Sequence, residues 1–279
     1  MKETTHMNLL VTLDENYIPY LNVMLYSLLE SNPDSEFDVY LLHSSIRKET
    51  LLETEQMLEK RGRLIPVKAK EIGLTDAPTT ARYPQEIYYR IFVAKYLPED
   101  LDRVLYLDPD IIVNGSIREL YELPLEEYYF AAATHNKAFL RKVNGLRLDM
   151  DPEGLYINSG VMLMNLKELR KHQDIQQVFD YIKKMKDALI LPDQDVISAL
   201  YGGKIREIDH YRYNMTERIL RVQQLPGVAG LQNLQGMDPV DVKWICKNCC
   251  IIHYIGRNKP WKERYMGKLD FFYQWYNRR

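Results

Sequence analysis

The chain has 279 residues, of which 46% are hydrophobic and 27% are charged, so it can bury a full core and keep a polar surface. This length is long for one domain but allows one α/β layer structure with insertions. The net charge of −2 argues against a general nucleic-acid-binding protein, which would normally be strongly basic. The cysteines, Cys246, Cys249 and Cys250, are too few for a disulfide framework and favour a reducing compartment, with zinc the less favoured use of the cluster.

The N-terminal residues do not resemble a secretion signal. Asp14 and Glu15 follow too soon for a signal-peptide apolar core, and no apolar run approaches the roughly 18 residues of a membrane helix. We therefore expect a cytoplasmic protein.

The first seventy residues alternate between strand and helix patterns. Apolar runs predict strands over 8–12, 37–42 and 63–67, and helical spacing predicts helices from Tyr17 and over 47–60. Asn16 is the predicted N-cap of the first helix. This β-α-β-α-β order implies parallel strands joined by right-handed crossovers.

The rest of the chain continues the α/β pattern. Further helices are predicted over 85–97, 167–184 and 192–201, the last with Asp193 as its N-cap and Gly202 after its end. Further strands are predicted over 104–107, 128–134, 161–166, 205–208 and 251–255. The segment 226–239 is rich in Gly and Gln and is predicted to be irregular. Together these elements predict a mixed, mostly parallel central sheet.

A buried strand ends at two aspartates, Asp108 and Asp110, which are separated by Pro109. In an extended chain, residues i and i+2 point the same way, so both carboxylates enter one volume at the carboxyl end of the strand. In open α/β sheets ligands bind at that edge. Two adjacent like charges favour a hard divalent cation between them. An acidic turn is the alternative interpretation.

Five motifs together resemble glycosyltransferase family 8. They are VTLDENY at 11–17, YLDPD at 106–110, YINSG at 156–160, PDQD at 192–195 and HYIGRNKPW at 253–261. Each motif is weak alone, but the ordered set is specific. The resemblance implies a GT-A fold with a Rossmann-like nucleotide-binding sheet, over an expected domain of residues 1–263. It also implies a retaining transferase that uses a UDP-sugar and Mn²⁺, with Mg²⁺ as the alternative ion.

The resemblance assigns metal ligation to Asp108, Asp110 and His253, and an imidazole ligand suits Mn²⁺ better than Mg²⁺. It places Gly256 and Lys259 at the diphosphate, where a lysine acts as a point charge. A structural histidine and a solvated loop lysine are the alternative interpretations. The donor-binding residues that the resemblance implies are Thr12, Leu13, Asp14, Asn16, Tyr17, Arg90, Asp108, Pro109, Asp110, His135, Gly256 and Lys259.

In that donor site, Asp14 can accept from the uracil imide and Tyr17 can stack on the base. Arg90 would reach the donor from the preceding helix, with a surface salt bridge as its alternative role. His135 stands where galactosyltransferase-like members carry an aspartate, which leaves the donor sugar open between glucose, galactose and other sugars.

The motif residues Asn158, Asp193 and Gln194 match the sugar side of the family's site. Retention at the anomeric carbon requires either a covalent intermediate or attack from the same face. The group nearest that carbon corresponds to Gln194, and an amide is a poor nucleophile. We therefore predict same-face attack, with Asp193 holding donor hydroxyls.

These features predict a hexosyltransferase that moves galactose or glucose from a UDP-sugar to a glycan or lipid-linked glycan in cell-surface polysaccharide synthesis. A haloacid-dehalogenase-like phosphatase is one alternative, although Ile112 stands where that motif requires Thr or Val. A non-catalytic sugar-nucleotide-binding protein is the other. The aromatic and basic segment 264–279 is predicted to form a helix that either docks on the domain or contacts the inner face of the plasma membrane.

Overall fold

The computed structural model describes residues 4–58, 60–69, 86–134, 138–228 and 239–278. The strands are β1 Thr5–Thr12, β2 Ser35–His43, β3 Gly62–Lys68, β4 Arg103–Leu107, β5 Ile111–Val113, β6 Phe130–Ala132, β7 Val161–Asn165, β8 Ile205–Glu207 and β9 Ile251–His253. The α-helices are α1 Ile18–Ser31, α2 Lys48–Leu58, α3 Glu86–Tyr89, α4 Arg118–Tyr121, α5 Ala138–Leu148, α6 Leu166–His172, α7 Ile175–Met185, α8 Pro192–Tyr201, α9 His210–Tyr213, α10 Glu217–Gln223, α11 Val242–Asn248 and α12 Asp270–Asn277. The 3₁₀ helices are Glu15–Tyr17, Arg90–Lys95 and Gly202–Lys204.

A central sheet of seven strands has the order β3-β2-β1-β4-β7-β6-β8. Within it β7 is antiparallel to both of its neighbours, and the other pairings are parallel. Strands β5 and β9 form a separate antiparallel pair. The predicted mixed, mostly parallel α/β sheet is therefore confirmed.

Helices cover the central sheet, and alternate residues of each strand enter different cores. In β4, Leu105 and Leu107 belong to one hydrophobic cluster, whereas Val104 and Tyr106 belong to another. All four side chains are fully buried. A strand buried on both faces needs apolar residues at every position, which explains the unbroken apolar runs in the sequence.

Two of the predicted helices are interrupted. The helix predicted over 85–97 is a single turn, α3, followed by a 3₁₀ helix that kinks at Phe92 (φ −101°, ψ 15°). The helix predicted over 167–184 is two helices, because the Asp174 carboxylate accepts from the backbone N–H groups of Gln176 and Gln177 and starts α7 afresh. An aspartate inside a helical pattern can cap a new helix instead of continuing the old one.

Both predicted N-caps are wrong. The side chain of Asp14, not Asn16, caps the first 3₁₀ helix by accepting from the Asn16 backbone N–H at 2.8 Å. Asp193 is the second residue of α8, whose N-cap is Leu191 without a side-chain bond. Residues 229–238 of the predicted irregular segment lie outside the described residues.

The C-terminal helix α12 docks on the domain. Leu269, Phe272 and Tyr273 are buried in a third hydrophobic cluster, together with residues of β9 and α10. Outside this contact, Phe271 and Trp275 remain 57% and 51% exposed. Among the helices that the structure describes, none is long and apolar enough to span a bilayer.

Candidate active site

The pairing of the two short strands brings a histidine to the aspartates that follow β4. Ile111, the first residue of β5, lies opposite His253, the last residue of β9. The His253 Nε2 atom is therefore 3.2 Å from Asp110 Oδ1 and 3.6 Å from Asp108 Oδ2. One ligand atom from each of these side chains lies within 4.8 Å of the others. The three predicted metal ligands are thus brought together.

These residues fit a divalent cation. The buried Oδ1 atom of Asp110 makes no hydrogen bond and has only the contact with His253 Nε2 described above, so it can also bind a cation. Gly160 leaves space beside His253 and Asp108 because it has no side chain. A Cβ atom at residue 160 would overlap the His253 ring and lie 2.7 Å from Asp108 Oδ2. Two carboxylates and an imidazole are a donor set that binds Mn²⁺ and related ions.

The chain also supplies its own cations to the aspartates. Arg90 Nη1 lies 3.0 Å from Asp108 Oδ1, and Lys259 Nζ donates to Asp110 Oδ2 and, at 2.7 Å, to the Tyr254 carbonyl. Arg90 and Lys259 therefore balance part of the negative charge of the two aspartates. Arg90 is 8% exposed, so its role as a surface salt bridge is excluded.

The charged side chains of this largely buried site change one another's pKa values. Burial raises the pKa of Asp110, but Lys259 and His253 lower it by a larger amount, so the pKa falls well below the usual range of an aspartate. Burial lowers the pKa of His253, while Asp110 and Asp108 raise it to about 9. The two aspartates therefore favour the protonated form of His253, which must lose a proton before it can act as a metal ligand.

The sugar-side residues lie at the first turn of α8. Asp193 and Gln194 are buried there, and Asn158 Nδ2 donates to Gln194 Oε1 at 3.4 Å. Arg90 Nη1 is 3.2 Å from Asp193 Oδ2, so its guanidinium bridges Asp193 and Asp108. Burial raises the pKa of Asp193 and outweighs the lowering effect of Arg90. One arginine thus joins the metal side and the sugar side.

The predicted uridine residues surround the end of β1. Thr12 Oγ1 accepts from Arg90 Nη2 at 3.4 Å, and Tyr17 is 37% exposed beside the site. Burial raises the pKa of Tyr17, while Lys259 lowers it and Asp110 raises it by smaller amounts. The Tyr17 hydroxyl is therefore close enough to interact electrostatically with the charged residues of the site. Leu13 packs in the core, so a contact with a nucleotide would come from its backbone.

The other predicted donor residues are placed less directly. Asp14 and Asn16 bond to each other, Pro109 is buried in the turn between the aspartates, and Gly256 is exposed with a φ of +81°. His135 lies outside the described residues.

The sequence interpretation missed two supporting residues. Tyr106 donates to Asp108 Oδ1 at 2.5 Å, and strand alternation could have revealed it, since residues 106 and 108 share a face. Asp195, in the same motif as Asp193, is fully buried. It accepts from Arg147 Nη1 and Nη2 (both 2.9 Å), Tyr156 Oη (2.8 Å), and the backbone N–H groups of Ile190 (2.7 Å) and Leu191 (3.0 Å). This carboxylate holds the start of α8, and no local sequence signal pairs it with Arg147.

Comparisons with known proteins agree with these features. The model of glycosyl transferase family 8 matches residues 8–264. The lipopolysaccharide 1,2-glucosyltransferase of Escherichia coli is 28% identical over 273 residues, 95% of this chain and 76% of the relative. The lipopolysaccharide 1,3-galactosyltransferase of Salmonella typhimurium is 26% identical over 260 residues, 91% of this chain and 72% of the relative. The structure of the galactosyltransferase LgtC, in complex with donor and acceptor sugar analogs, has a TM-score of 0.77 at 21% identity, covering 97% of this chain and 95% of LgtC.

Proposed function

The chain belongs to glycosyltransferase family 8 and has the GT-A fold, and on this premise we propose that it is a retaining, metal-dependent hexosyltransferase. The proposed reaction moves galactose or glucose from a UDP-sugar to a glycan or lipid-linked glycan. The observation that supports it is that Arg90 contacts both Asp108, in the Asp108–Asp110–His253 cluster, and Asp193. The lipopolysaccharide transferases among its relatives favour an acceptor in cell-surface polysaccharide synthesis.

The proposed diphosphate site combines a metal ion with side chains of the chain itself. Mn²⁺, or Mg²⁺ in its place, held by Asp108, Asp110 and His253, would neutralise the diphosphate and stabilise the departing UDP. Lys259 would supply a second positive charge, for which its ammonium has to leave Asp110. The left-handed backbone at Gly256 suits glycine and shapes the turn that carries Lys259.

The proposed sugar site uses buried polar groups to orient the donor. Arg90 and Asp193 would hold donor hydroxyls, and Gln194 would lie nearest the anomeric carbon. The bond from that carbon to the phosphate oxygen breaks as the bond to the acceptor oxygen forms on the same face. The acceptor proton passes to the departing phosphate oxygen. Asp14 and Tyr17 would bind uracil, and we propose that residue 135 contributes to the choice between glucose and galactose.

The test of this function measures UDP release from UDP-glucose and UDP-galactose with Mn²⁺, beside phosphate release from a phosphomonoester. We expect UDP release and tight UDP binding that both require the metal ion. Calorimetry that found equally tight UDP binding in excess chelator would contradict the metal-dependent site. Phosphate release would favour the phosphatase, and binding without turnover on any acceptor would favour a binding protein.

The same-face mechanism predicts that no sugar becomes attached to the enzyme. Gln194 has no charge to donate, and Asp195 is fully engaged by five donor contacts from four residues. We expect the intact mass of the protein to stay unchanged when turnover is quenched in acid. A trapped glycosyl adduct on Gln194, Asp193 or Asp195 would instead require a covalent intermediate.

We further propose that the protein is cytoplasmic and that α12, in the proposed C-terminal unit 264–279, contacts the inner face of the plasma membrane. Its exposed rings, Phe271 and Trp275, lie 6.3 Å apart between centroids. Nearby basic residues such as Lys268 and Arg278 would add attraction to anionic lipid of about 1 kcal/mol each. Because Leu269 is buried, deleting the segment would remove core contacts, and substitutions of the exposed rings are the sharper test.

We expect Phe271→Ser with Trp275→Ser to weaken binding to anionic vesicles by about tenfold or more, since each inserted ring removes apolar surface worth roughly 1–2 kcal/mol from water. Vesicle flotation at low salt measures this, and UDP-sugar hydrolysis should be unchanged. Leu52→Ser is the matched control, because Leu52 is 54% exposed on α2. Equal vesicle binding by all three proteins would exclude the membrane contact.

A further inference from the structure

Asn214 is a buried amide that lies between the metal side and the sugar side of the site. It is completely buried in the segment that joins α9 to α10. Its neighbour Met215 donates its backbone N–H to the Ile251 carbonyl at 3.0 Å and accepts from the His253 backbone N–H at 2.7 Å. These two backbone bonds attach the segment to β9 and hold the Asn214 side chain against the His253 ring.

The hydrogen bonds determine which way each amide points. The Gly160 backbone N–H is a donor, so the Asn158 atom that faces it at 3.2 Å is the oxygen, Oδ1. That oxygen also accepts from Asn214, so the Asn214 atom facing it at 2.8 Å is the nitrogen, Nδ2. The remaining Asn214 atom, Oδ1, lies 2.9 Å from His253 Nδ1 and can only accept.

This chain of donors and acceptors leaves one arrangement for the His253 ring. Nδ1 carries a proton for Asn214, and Nε2 faces the two aspartates with its lone pair free once the second proton has left. A histidine that ligates a metal ion commonly donates its other N–H to a fixed acceptor, which sets its tautomer and orientation. On the far side, Asn158 Nδ2 continues the chain to Gln194 Oε1.

We propose that Asn214 is a positioning residue that orients His253 as a metal ligand through Nε2 and, through Asn158, ties the metal ligand to the sugar-side amide. This inference rests on the proposed metal-dependent function. It needs no contact between Asn214 and the substrate. No feature of the local sequence around residue 214 indicates the role, because its partners lie 39 and 56 residues away.

The test compares two substitutions by Mn²⁺ binding, measured with and without UDP from the electron paramagnetic resonance signal of free aqueous Mn²⁺. Asn214→Leu has a similar size but removes the acceptor, and we expect it to weaken Mn²⁺ binding by about 10- to 100-fold. Asn214→Asp keeps an acceptor for Nδ1, so we expect its Mn²⁺ affinity to stay within about threefold of the wild type.

Thr216→Val is the matched control for general destabilisation. Thr216 is also buried in this segment, and its hydroxyl caps α10 by accepting from the Ile219 N–H at 3.2 Å. Loss of this cap should lower the melting temperature and leave Mn²⁺ binding unchanged. Unaltered binding in folded Asn214→Leu, or equal weakening in Asn214→Asp, would overturn the positioning role alone.

The wild-type protein gives a readout that does not depend on how the variants fold. With diamagnetic Mg²⁺ and UDP, nitrogen NMR of labelled histidines should show the His253 proton on Nδ1, whereas a proton on Nε2 would overturn the assignment. A wild-type protein that binds neither metal ion, with or without UDP, would instead overturn the proposed function together with the role of Asn214.

Discussion

Asp110→Asn is expected to lower UDP-sugar hydrolysis by about 10³-fold, because a metal ion that stabilises the leaving group contributes several kcal/mol to the transition state. Asparagine keeps the shape of the side chain but removes the charge that faces both His253 and Lys259. The measurements are kcat/KM for UDP release and the affinity for UDP in the presence of Mn²⁺.

The matched control for this change is Asp38→Asn in β2. Asp38 is 5% exposed and pairs with Arg63, whose hydrogen bonds lower the pKa of the carboxyl, but it lies in the half of the strand away from the site. It therefore tests the loss of a buried carboxylate without a change at the site. Turnover of Asp110→Asn equal to that of Asp38→Asn would remove Asp110 from the proposed mechanism.

Gly160→Ala is expected to lower both Mn²⁺ binding and turnover by about 100-fold or more, since second-sphere changes at metal sites commonly have effects of 10- to 100-fold and this one displaces a ligand. The added methyl group would overlap the His253 ring and crowd Asp108 Oδ2 at 2.7 Å. The ring has little room to move, because it is 3% exposed and its Nδ1 is held by Asn214. Calorimetry with Mn²⁺ and UDP measures the effect.

A second glycine provides the control for that substitution. A Cβ atom at Gly203, after the end of α8, meets no atom within 4 Å, so Gly203→Ala should keep wild-type binding and turnover. Both variants should first show cooperative melting. A folded Gly160→Ala protein with normal Mn²⁺ binding would mean that His253 does not act from the position seen here.

Much of the fold follows from local patterns in the sequence. Residues 9–11 of β1 and 104–107 of β4 are unbroken apolar runs because both faces of the central sheet are covered, and such runs are visible without a structure. The pairing of Asp108 with Asp110 follows from the two-residue period of an extended chain. The ordered motifs over 11–261 predicted the family, which the match over residues 8–264 confirms.

The interruptions within helices could not be predicted from those local patterns. Arg90 lies where α3 gives way to a 3₁₀ helix, and its guanidinium reaches Asp108 and Asp193 from there. Helical periodicity runs through the break, because apolar side chains on both sides of it face the same core. Asp193 was predicted as a cap because it lies at the start of a helical pattern, although its carboxylate contacts Arg90, which is far away in sequence.

The sequence by itself determined the strands of the central sheet, the acidic pair after β4 and the family, because each depends on neighbours a few residues apart or on an ordered set of motifs. The short strand β5 was not predicted. Only the tertiary structure decided the partners within the site. Lys259 meets Asp110 across 149 residues, and Asn214 meets His253 across 39. These contacts depend on the register of β5 against β9 and on the bridge from Met215 to Ile252. No hairpin turn joins β5 to β9, which lie far apart in the chain, so turn geometry, one of the factors that fix a register, is missing between them.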